Sequence, residues 1–268
     1  MIEIESLDYI YEDGTLALKN INMNLDKGGV ISVIGANGSG KSTLFLNILG
    51  ILKPKKGSIK YNNNQIRYDK KSLRDYRKSV TMVFQDPDKQ LFYSKVYDDM
   101  AFALRNLSLE EDEIKKRVDL SLKKVKALDI KEKPTHFLSY GQKKRIAIGA
   151  ALTMDSKVLL LDEPTSGLDP MMASCIKLII KDLSKEKKLV ISSHDMDFIY
   201  EISDYVYILA HGEIIGEGPP MEVFQRTDLL ERADLEKPWL VKIHQYLNLP
   251  LYKTQEELFK NKTIKESL

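Results

Sequence analysis

The sequence predicts an α/β fold with a parallel β-sheet at its core, and three features of the chain support this prediction. Five short segments are rich in β-branched residues and almost continuously apolar. Longer segments with apolar residues at helical spacing lie between them, and the first thirty residues instead alternate apolar and polar side chains. Strands buried on both faces are continuously apolar, and their alternation with helices is typical of α/β proteins. We therefore expect a parallel sheet covered by helices and preceded by an antiparallel β region.

The N-terminal region is expected to form the antiparallel strands. Ile2 and Ile4 alternate with acidic residues, and the segment 21–25 repeats the same period of two. This period indicates strands with one buried and one solvated face. Asp13 and Gly14 lie between the two regions and form a dipeptide that is typical of hairpin turns.

The remaining elements follow as alternating strands and helices. The predicted strands are Val30–Ile34, Val80–Phe84, Val158–Leu161, Val190–Ser193 and Val206–Leu209. The predicted helices are Ser42–Leu49, Glu111–Leu128, Lys143–Thr153 and Met172–Lys185.

A helical subdomain is predicted within the α/β region. The segment Asp86–Phe137 contains no convincing strand, and Ile114, Val118 and Leu122 recur at helical spacing in its charged second half. We place this inserted subdomain at about residues 87–150.

The chain is divided into a domain of residues 1–224 and a helical C-terminal extension of residues 225–268. Within the extension, Leu229–Leu247 is amphipathic and contains Pro238, and the final residues are polar and rich in Lys and Glu. We expect the extension to lie outside the sheet.

Composition argues against several classes of protein. Lys and Arg number 41 and Asp and Glu number 39, so the net charge of +2 provides no basic excess for binding nucleic acid. The longest uncharged run, Gly28–Gly40, is shorter than the roughly 18 apolar residues of a membrane span. The N-terminus lacks a secretory pattern, and the single cysteine, Cys175, suits a reducing cytosol. We expect a protein that works inside the cell, binds no nucleic acid and contacts a membrane only through a partner.

Residues 35–42, GANGSGKS, match a phosphate-binding loop. They fit the pattern G-x-x-x-x-G-K-[ST] and lie between a predicted strand and an apolar helix, the context that this motif requires and that a chance Gly-rich turn would lack. Glycines let backbone N–H groups surround an anion, and the helix N-terminus adds its positive end. Lys41 would reach the β- and γ-phosphates, and the Ser42 hydroxyl would bind Mg²⁺. The predicted nucleoside triphosphate site consists of Gly35, Asn37, Gly38, Ser39, Gly40, Lys41, Ser42 and Thr43.

Two adjacent acids, Asp162 and Glu163, end the predicted strand Val158–Leu161. The carboxyl ends of strands are where α/β folds bind ligands. Neighbouring strand residues point in different directions, so Asp162 can face Mg²⁺ while Glu163 faces an attacking water. A strand ending in a solvated turn is the alternative, and the adjacent phosphate-binding loop disfavours it.

Three segments together resemble the ATP-binding cassette (ABC) family. They are the phosphate-binding loop, LLLDEP at residues 159–164, and LSYGQ at residues 138–142, about twenty residues before that strand end. A phosphate-binding loop alone could belong to a kinase or a GTPase, but LS-x-GQ at this spacing is not expected of them. The resemblance covers residues 1–224 and implies a P-loop NTPase (ABC ATPase) core that binds ATP and Mg²⁺.

The resemblance also implies roles for single residues. Tyr11 matches the aromatic residue that stacks on adenine, although Tyr9 is nearby and either could be a packed strand aromatic. Gln85 matches the glutamine that links Mg²⁺ and water to a transmembrane partner, and His194 matches the histidine that hydrogen-bonds the γ-phosphate. Residues 166–169 resemble the loop that contacts an opposite subunit.

The segment LSYGQ departs from the commonest family pattern at Tyr140, where glycine is usual. Ser139 and Gln142 fit a capping box, which would make Tyr140 the first helical residue, with an ordinary negative φ that needs no glycine. Ser139 and the Gly141 N–H could therefore still face a phosphate. We predict that Ser139, Gly141 and Gln142 take part in nucleotide binding.

In this family LSYGQ of one subunit completes the ATP site of another, so the resemblance implies a dimer with two ATP molecules between its subunits. ATP would favour the closed dimer because only that state contacts both sides of the γ-phosphate. Glu163 is predicted as the general base, and His194 and Lys41 would stabilise charge on the transferred phosphoryl group.

Further segments are similar to the energy-coupling factor ATPases of this family, including those of cobalt and nickel importers. They are residues 83–92 (VFQDPDKQLF), 138–145 (LSYGQKKR) and 192–195 (SSHD). The similarity implies an ATPase, homo- or heterodimeric, peripheral on the cytoplasmic face of the membrane. It would power uptake of cobalt, nickel or a vitamin through a transmembrane energy-coupling subunit and a substrate-capture membrane protein.

Three alternatives have different partners or substrates. An ATPase of another ABC importer or exporter would share every motif above. An ABC ATPase of DNA maintenance would need long coiled-coil insertions that 268 residues cannot hold. A kinase would not need LSYGQ and would transfer phosphate to an acceptor.

Overall fold

The structure is a computed structural model in which residues 1–260 are described. These residues form two β-sheets, one of four strands and one of six, with helices packed around them. The predicted α/β fold with an antiparallel region is therefore confirmed.

Strands and helices are numbered here in chain order. The strands are β1 (Ile2–Ile10), β2 (Leu16–Asn24), β3 (Val30–Ile34), β4 (Lys56–Tyr61), β5 (Asn64–Gln65), β6 (Val80–Val83), β7 (Val158–Asp162), β8 (Lys188–Ser192), β9 (Tyr205–Ala210) and β10 (Glu213–Gly218). The helices are α1 (Lys41–Ile48), α2 (Lys70–Tyr76), α3 (Val96–Asn106), α4 (Glu111–Lys124), α5 (Tyr140–Thr153), α6 (Pro170–Leu183), α7 (Met196–Ile202), α8 (Pro220–Val223), α9 (Thr227–Arg232), α10 (Trp239–Leu247) and α11 (Gln255–Lys260).

The smaller sheet is antiparallel, with strand order β2-β1-β4-β5. The predicted turn between β1 and β2 is present, since Gly14 has a φ of +88° and its N–H donates to the Tyr11 carbonyl at 3.0 Å. Leu44, Phe45 and Ile48 of α1 are buried in one apolar cluster with residues of both sheets. This packing places the start of α1 beside the antiparallel sheet.

The larger sheet has strand order β10-β9-β3-β8-β7-β6. All five predicted apolar strands lie in it and pair in parallel. The carboxyl ends of β3, β6, β7 and β8 therefore meet at one edge, where α/β folds bind ligands.

β10 is an antiparallel edge strand that was not predicted. It pairs with β9 through a two-residue turn at His211 and Gly212, both of which have positive φ. This is the conformation of a type I′ hairpin, which favours Gly but here also contains a histidine. Because histidine is not a typical residue of this turn type, the sequence did not indicate the turn.

The inserted helical region contains α3, α4 and α5, which pack against one another. Ile114, Val118 and Leu122 are fully buried, as their spacing predicts. The predicted extent of α4 to Leu128 is wrong. The helix ends at Lys124 because Lys126 adopts a φ of +54° and the Ala127 N–H donates to the Leu122 carbonyl at 2.9 Å, as at a Schellman-type helix end.

The C-terminal extension is helical within the described residues and lies outside both sheets, as predicted. Its amphipathic segment is divided into α9 and α10, with Pro238 at the N-cap of α10. Leu229, Leu240 and Leu258 are buried in the large apolar cluster of the core. The predicted residues 261–268 lie outside the described part of the chain. Within residues 1–260, no helix combines the length and apolarity needed to cross a bilayer.

Candidate nucleotide-binding site

The phosphate-binding loop connects β3 to α1 and depends on close backbone approaches. At Gly35 a Cβ atom would lie 2.1 Å from the Leu209 carbonyl oxygen. At Gly40 φ is +109°, and a Cβ atom would lie 2.9 Å from the Ala17 carbonyl oxygen. Only glycine fits both positions, so these two glycines let the loop backbone pack closely against β9 and β2.

Lys41 is the first residue of α1, and its ammonium group is buried within the loop. It donates to the carbonyl oxygens of Gly35 at 2.8 Å and Ala36 at 3.0 Å, and lies 3.8 Å from Oε1 of Glu163. Burial lowers the pKa of Lys41, and the carboxylates of Glu163 and Asp162 oppose that shift. The ammonium is therefore held between the loop and the two acids.

Glu163 follows β7 in a left-handed conformation with a φ of +44°. Its Oε2 accepts hydrogen bonds from the His194 backbone N–H at 3.2 Å and lies 2.7 Å from His194 Nδ1. Its Oε1 is buried and has no hydrogen-bond partner among the described residues. One carboxylate oxygen is thus held by His194, and the other is available beside Lys41.

Asp162 is the last residue of β7 and is buried. The Ser192 hydroxyl at the end of β8 donates to its Oδ1 at 2.5 Å. The same hydroxyl accepts a hydrogen bond from the Glu163 N–H at 3.0 Å. Ser192 therefore holds both acids at the ends of neighbouring strands.

A cavity of about 760 Å³ opens beside these groups, and it brings together most of the predicted residues. It is lined by Tyr11, Thr15, Leu16, Ala17, Asn37, Gly38, Gly40, Lys41, Ser42, Thr43, Gln85, Glu163, His211 and Gly212. His194 lines an adjoining cavity together with Gly35, Ala36 and Asn37. Sequence analysis did not find Thr15, Leu16, Ala17, His211 or Gly212, which reach the cavity through the two hairpins.

Tyr11, rather than Tyr9, lines the cavity. Its hydroxyl lies 2.8 Å from Thr43 Oγ1, and 39% of its surface is exposed. Tyr9 packs edge-on against the Tyr11 ring at 5.1 Å and contacts the apolar core. The structure therefore places Tyr11, and not Tyr9, in the cavity. Stacking of the Tyr11 ring on adenine stays a prediction.

The chemistry of the donor set suits Mg²⁺. Ser42 and Gln85 line the cavity with a hydroxyl and an amide oxygen, whereas Asp162 is buried at the end of the adjacent strand and does not itself line the cavity. Oxygen ligands together with retained waters are what Mg²⁺ prefers. Ser39 Oγ is also buried without a hydrogen-bond partner among the described residues, as expected of a loop that receives an anion.

The predicted capping box is present at the start of α5. Ser139 Oγ accepts from the Gln142 N–H at 3.3 Å, and Gln142 Oε1 accepts from the Ser139 N–H at 3.0 Å. Tyr140 is the first helical residue, as predicted, and a Cβ atom at Gly167 would lie 3.1 Å from its ring. Ser139, Gly141 and Gln142 do not line the cavity, so a single chain does not bring them to the phosphate-binding loop.

Lys144 was missed by sequence analysis. It lies four residues before Ile148 on the buried face of α5, and its ammonium donates to the Gln85 carbonyl. Burial lowers its pKa to about 8, while Asp162, Asp86 and Glu163 oppose that shift. Its spacing from Ile148 and Ala151 was a signal for burial in the sequence.

Comparisons with known proteins agree with this geometry. Residues 18–166 match the family model described as ABC transporter. The chain is 45% identical to the cobalt import ATP-binding protein CbiO of Salmonella typhi over 97% of this chain and 96% of that protein. It is 47% identical to the energy-coupling factor transporter ATP-binding protein EcfA3 of Clostridium perfringens, over 89% of this chain and 84% of that protein.

Solved structures give the same result. CbiO1 of Clostridium perfringens, described as part of the CbiONQ transporter complex, matches with a TM-score of 0.78 and 46% identity, covering 91% of this chain and 98% of that one. An ATP-binding cassette solved as a dimer bound to ADP and Pi matches with a TM-score of 0.75 and 26% identity, covering 82% of this chain and 99% of that one. The predicted family and ATPase fold are confirmed, and this chain belongs to the ABC transporter family as an ATP-binding protein of the energy-coupling factor type.

Proposed function

We propose that this protein is the ATP-hydrolysing subunit of an energy-coupling factor importer and that it powers uptake of cobalt or nickel ions, or of a vitamin, through a separate transmembrane partner. The observation that carries the proposal is the grouping of Lys41, Glu163, Gln85 and Ser42 around one cavity of about 760 Å³. The substrate rests on the name of the cobalt import relative.

ATP is proposed to bind with its phosphates in the loop 35–42 and its adenine against Tyr11. Lys41 then exchanges its contacts with the loop carbonyls for contacts with phosphate oxygens. Ser42, Gln85 and Asp162 would hold Mg²⁺, which would neutralise charge on the phosphates.

Glu163 is proposed to orient the attacking water and accept its proton. The buried Oε1 has no hydrogen-bond partner among residues 1–260, so a water can supply the missing donor. His194 holds Oε2 and thereby fixes the orientation of the carboxylate. Nδ1 must carry a proton to donate to the carboxylate, and Nε2 must carry a second proton to donate to a phosphate oxygen.

A dimer is proposed because Ser139 and Gly141 lie outside the cavity of their own chain. A second ATPase subunit, identical or related, would place its capped α5 terminus against the nucleotide in a head-to-tail arrangement. The similar cassette that was solved as a dimer bound to ADP and Pi supports a dimer.

The transmembrane partner is proposed to bind an apolar groove of about 250 Å³ between the sheet edge and the helical region. Phe92 and Phe102 line the groove, and their rings contact each other at 4.9 Å, with 65% of Phe92 exposed. Gln90 lines it as well and connects the backbone of Phe84 to that of Ala147. Gln90 therefore connects the groove to the loop that contains Gln85. A movement of the partner against the groove would shift this loop and so change the ATP site.

Binding to this partner would place the protein on the cytoplasmic face of the cell membrane as a peripheral subunit. The test is co-purification with membrane partners followed by uptake of cobalt, nickel and vitamins into vesicles. We expect MgATP-dependent accumulation of one of these substrates with the wild type and none with Glu163→Gln. ATP-dependent uptake or export of an unrelated substrate by the purified complex would instead assign the chain to another ABC transporter.

A further inference from the structure

Lys144 is a buried lysine that the proposed mechanism does not yet use. It lies in the second turn of α5, and none of its surface is exposed. An ammonium group in this position has lost its hydration and must be compensated by hydrogen bonds and opposite charges. Its contacts therefore indicate what it does.

The ammonium of Lys144 donates to the main-chain carbonyl of Gln85. The hydroxyl of Tyr140, on the same helix, lies 3.5 Å from that same oxygen. Gln85 follows the end of β6, and its side chain lines the nucleotide cavity. The backbone from which the Gln85 amide extends is thus held by α5.

The charge of Lys144 also interacts with the acids of the site. Asp162, Asp86 and Glu163 attract it, and Lys41 interacts with Asp162 and Glu163 as well. Lys41 lines the cavity and Lys144 does not, so the acids interact with one lysine inside the cavity and one outside it. Lys144 can therefore compensate the acids without occupying the space needed for nucleotide.

We propose that Lys144 is a positioning residue for Gln85. By holding the Gln85 carbonyl, it fixes the direction in which the Gln85 amide enters the cavity and so the place where that amide meets Mg²⁺ and the attacking water. The proposal deepens the proposed ATPase function and rests on it. Removing the ammonium alone would leave the Gln85 carbonyl and the neighbouring acids without this partner, so Lys144 also contributes to stability, and the experiment must separate the two roles.

Lys144→Met tests the proposal because methionine keeps an unbranched stem of similar length and removes only the ammonium. We expect the melting temperature to fall, because removing one partner of a buried charged group is destabilising. Measured well below that temperature, ATP affinity without Mg²⁺ should stay within about two-fold of wild type. The kcat is expected to fall about 10- to 100-fold, since a small displacement of a positioned group has effects of this size. The Mg²⁺ concentration for half-maximal activity should rise.

A second measurement does not depend on turnover. In a Glu163→Gln background loaded with ATP, Mn²⁺ binding is followed by electron paramagnetic resonance. Adding Lys144→Met should weaken Mn²⁺ affinity about ten-fold, the effect expected when a group supporting a metal ligand is removed. Because Lys144 acts through Gln85, Lys144→Met should weaken Mn²⁺ affinity much less in a chain that already carries Gln85→Ala than in a chain that retains Gln85.

Lys253→Met is the matched control. Lys253 is also a lysine whose pKa burial lowers to about 8, and its ammonium donates to the Ser203 carbonyl at 2.7 Å, away from the nucleotide cavity. The Lys253→Met variant should leave kcat and the Mg²⁺ dependence of the activity unchanged. If Lys144→Met is insoluble, Lys144→Leu carries the comparison, because leucine also removes the donor to the Gln85 carbonyl and should lower kcat and Mn²⁺ affinity in the same way.

The proposal is overturned if Lys144→Met retains wild-type kcat and Mn²⁺ affinity, or if it loses only thermal stability. Failure of the proposed function is distinguishable, since in that case the wild type itself hydrolyses no ATP in the presence of its membrane partners.

Discussion

His194 and Glu163 form a hydrogen-bonded pair at the carboxyl ends of β8 and β7, with His194 Nδ1 2.7 Å from Glu163 Oε2. The second oxygen of the same carboxylate has no hydrogen-bond partner among the described residues and lies 3.8 Å from Lys41 Nζ. The two carboxylate oxygens of Glu163 therefore have different surroundings. Oε2 is held by His194, whereas Oε1 is buried beside Lys41 with no hydrogen bond within residues 1–260.

Glu163→Gln should abolish most hydrolysis while preserving ATP binding. The amide keeps the size of the side chain but cannot accept a proton, and a positioned general base typically contributes about 10²–10⁴-fold to the rate. Phosphate release measures turnover, and light scattering with MgATP should detect an accumulated dimer. Wild-type phosphate release from the purified variant would remove Glu163 from the role of base.

His194→Ala should lower kcat on the order of 10²-fold, because it removes the side-chain donor that orients Glu163 and a donor for phosphate. Steady-state ATPase assays measure the effect. His244→Ala is the control, since His244 Nδ1 bonds to the Leu249 carbonyl in the C-terminal extension. Equal activity in the two variants would show that the His194–Glu163 contact is not needed.

Lys41→Ala should weaken ATP binding by about 10- to 150-fold, because hydrogen bonds to charged groups are worth about 1.5–3 kcal/mol. Titration with a fluorescent ATP analogue provides the measurement. The exposed Lys70→Ala serves as the control for the loss of one positive charge. Unchanged nucleotide affinity in the Lys41 variant would contradict the assignment of the phosphate-binding loop.

Tyr11→Ala should weaken ATP binding by about 5- to 150-fold, since stacking of a base on an aromatic side chain is worth about 1–3 kcal/mol. Tyr11→Phe keeps the ring, loses the contact with Thr43 and should bind ATP almost as well as the wild type. The same titration compares both variants. If the Phe variant loses as much affinity as the Ala variant, the hydroxyl rather than the ring is responsible.

Ser139→Ala should destabilise the protein by about 1 kcal/mol, because it removes the N-cap of α5, and should also prevent the ATP-dependent dimer. Asp69→Ala removes the N-cap of α2, where Asp69 Oδ1 accepts from the Ser72 N–H at 3.0 Å, and leaves the site untouched. Chemical denaturation and light scattering separate the two effects. A normal ATP-dependent dimer of the Ser139 variant would exclude that residue from the interface.

Sequence alone determined the features that are encoded by neighbouring residues. The loop 35–42, the capping box at Ser139 and the acids that end β7 depend on local hydrogen bonds, on glycine conformations and on the apolar pattern of one strand. These interactions span a few residues, so their spacing along the chain is enough to predict them.

Tertiary structure decided which distant residues meet. The order of the strands brings His211 of the β9–β10 hairpin and Thr15 of the first hairpin to one cavity, and it places Lys144 against Gln85, 59 residues earlier in the chain. It also leaves Ser139 outside the cavity of its own chain. No local pattern encodes these contacts, because sheet order and helix packing set the distances between residues that are far apart in sequence.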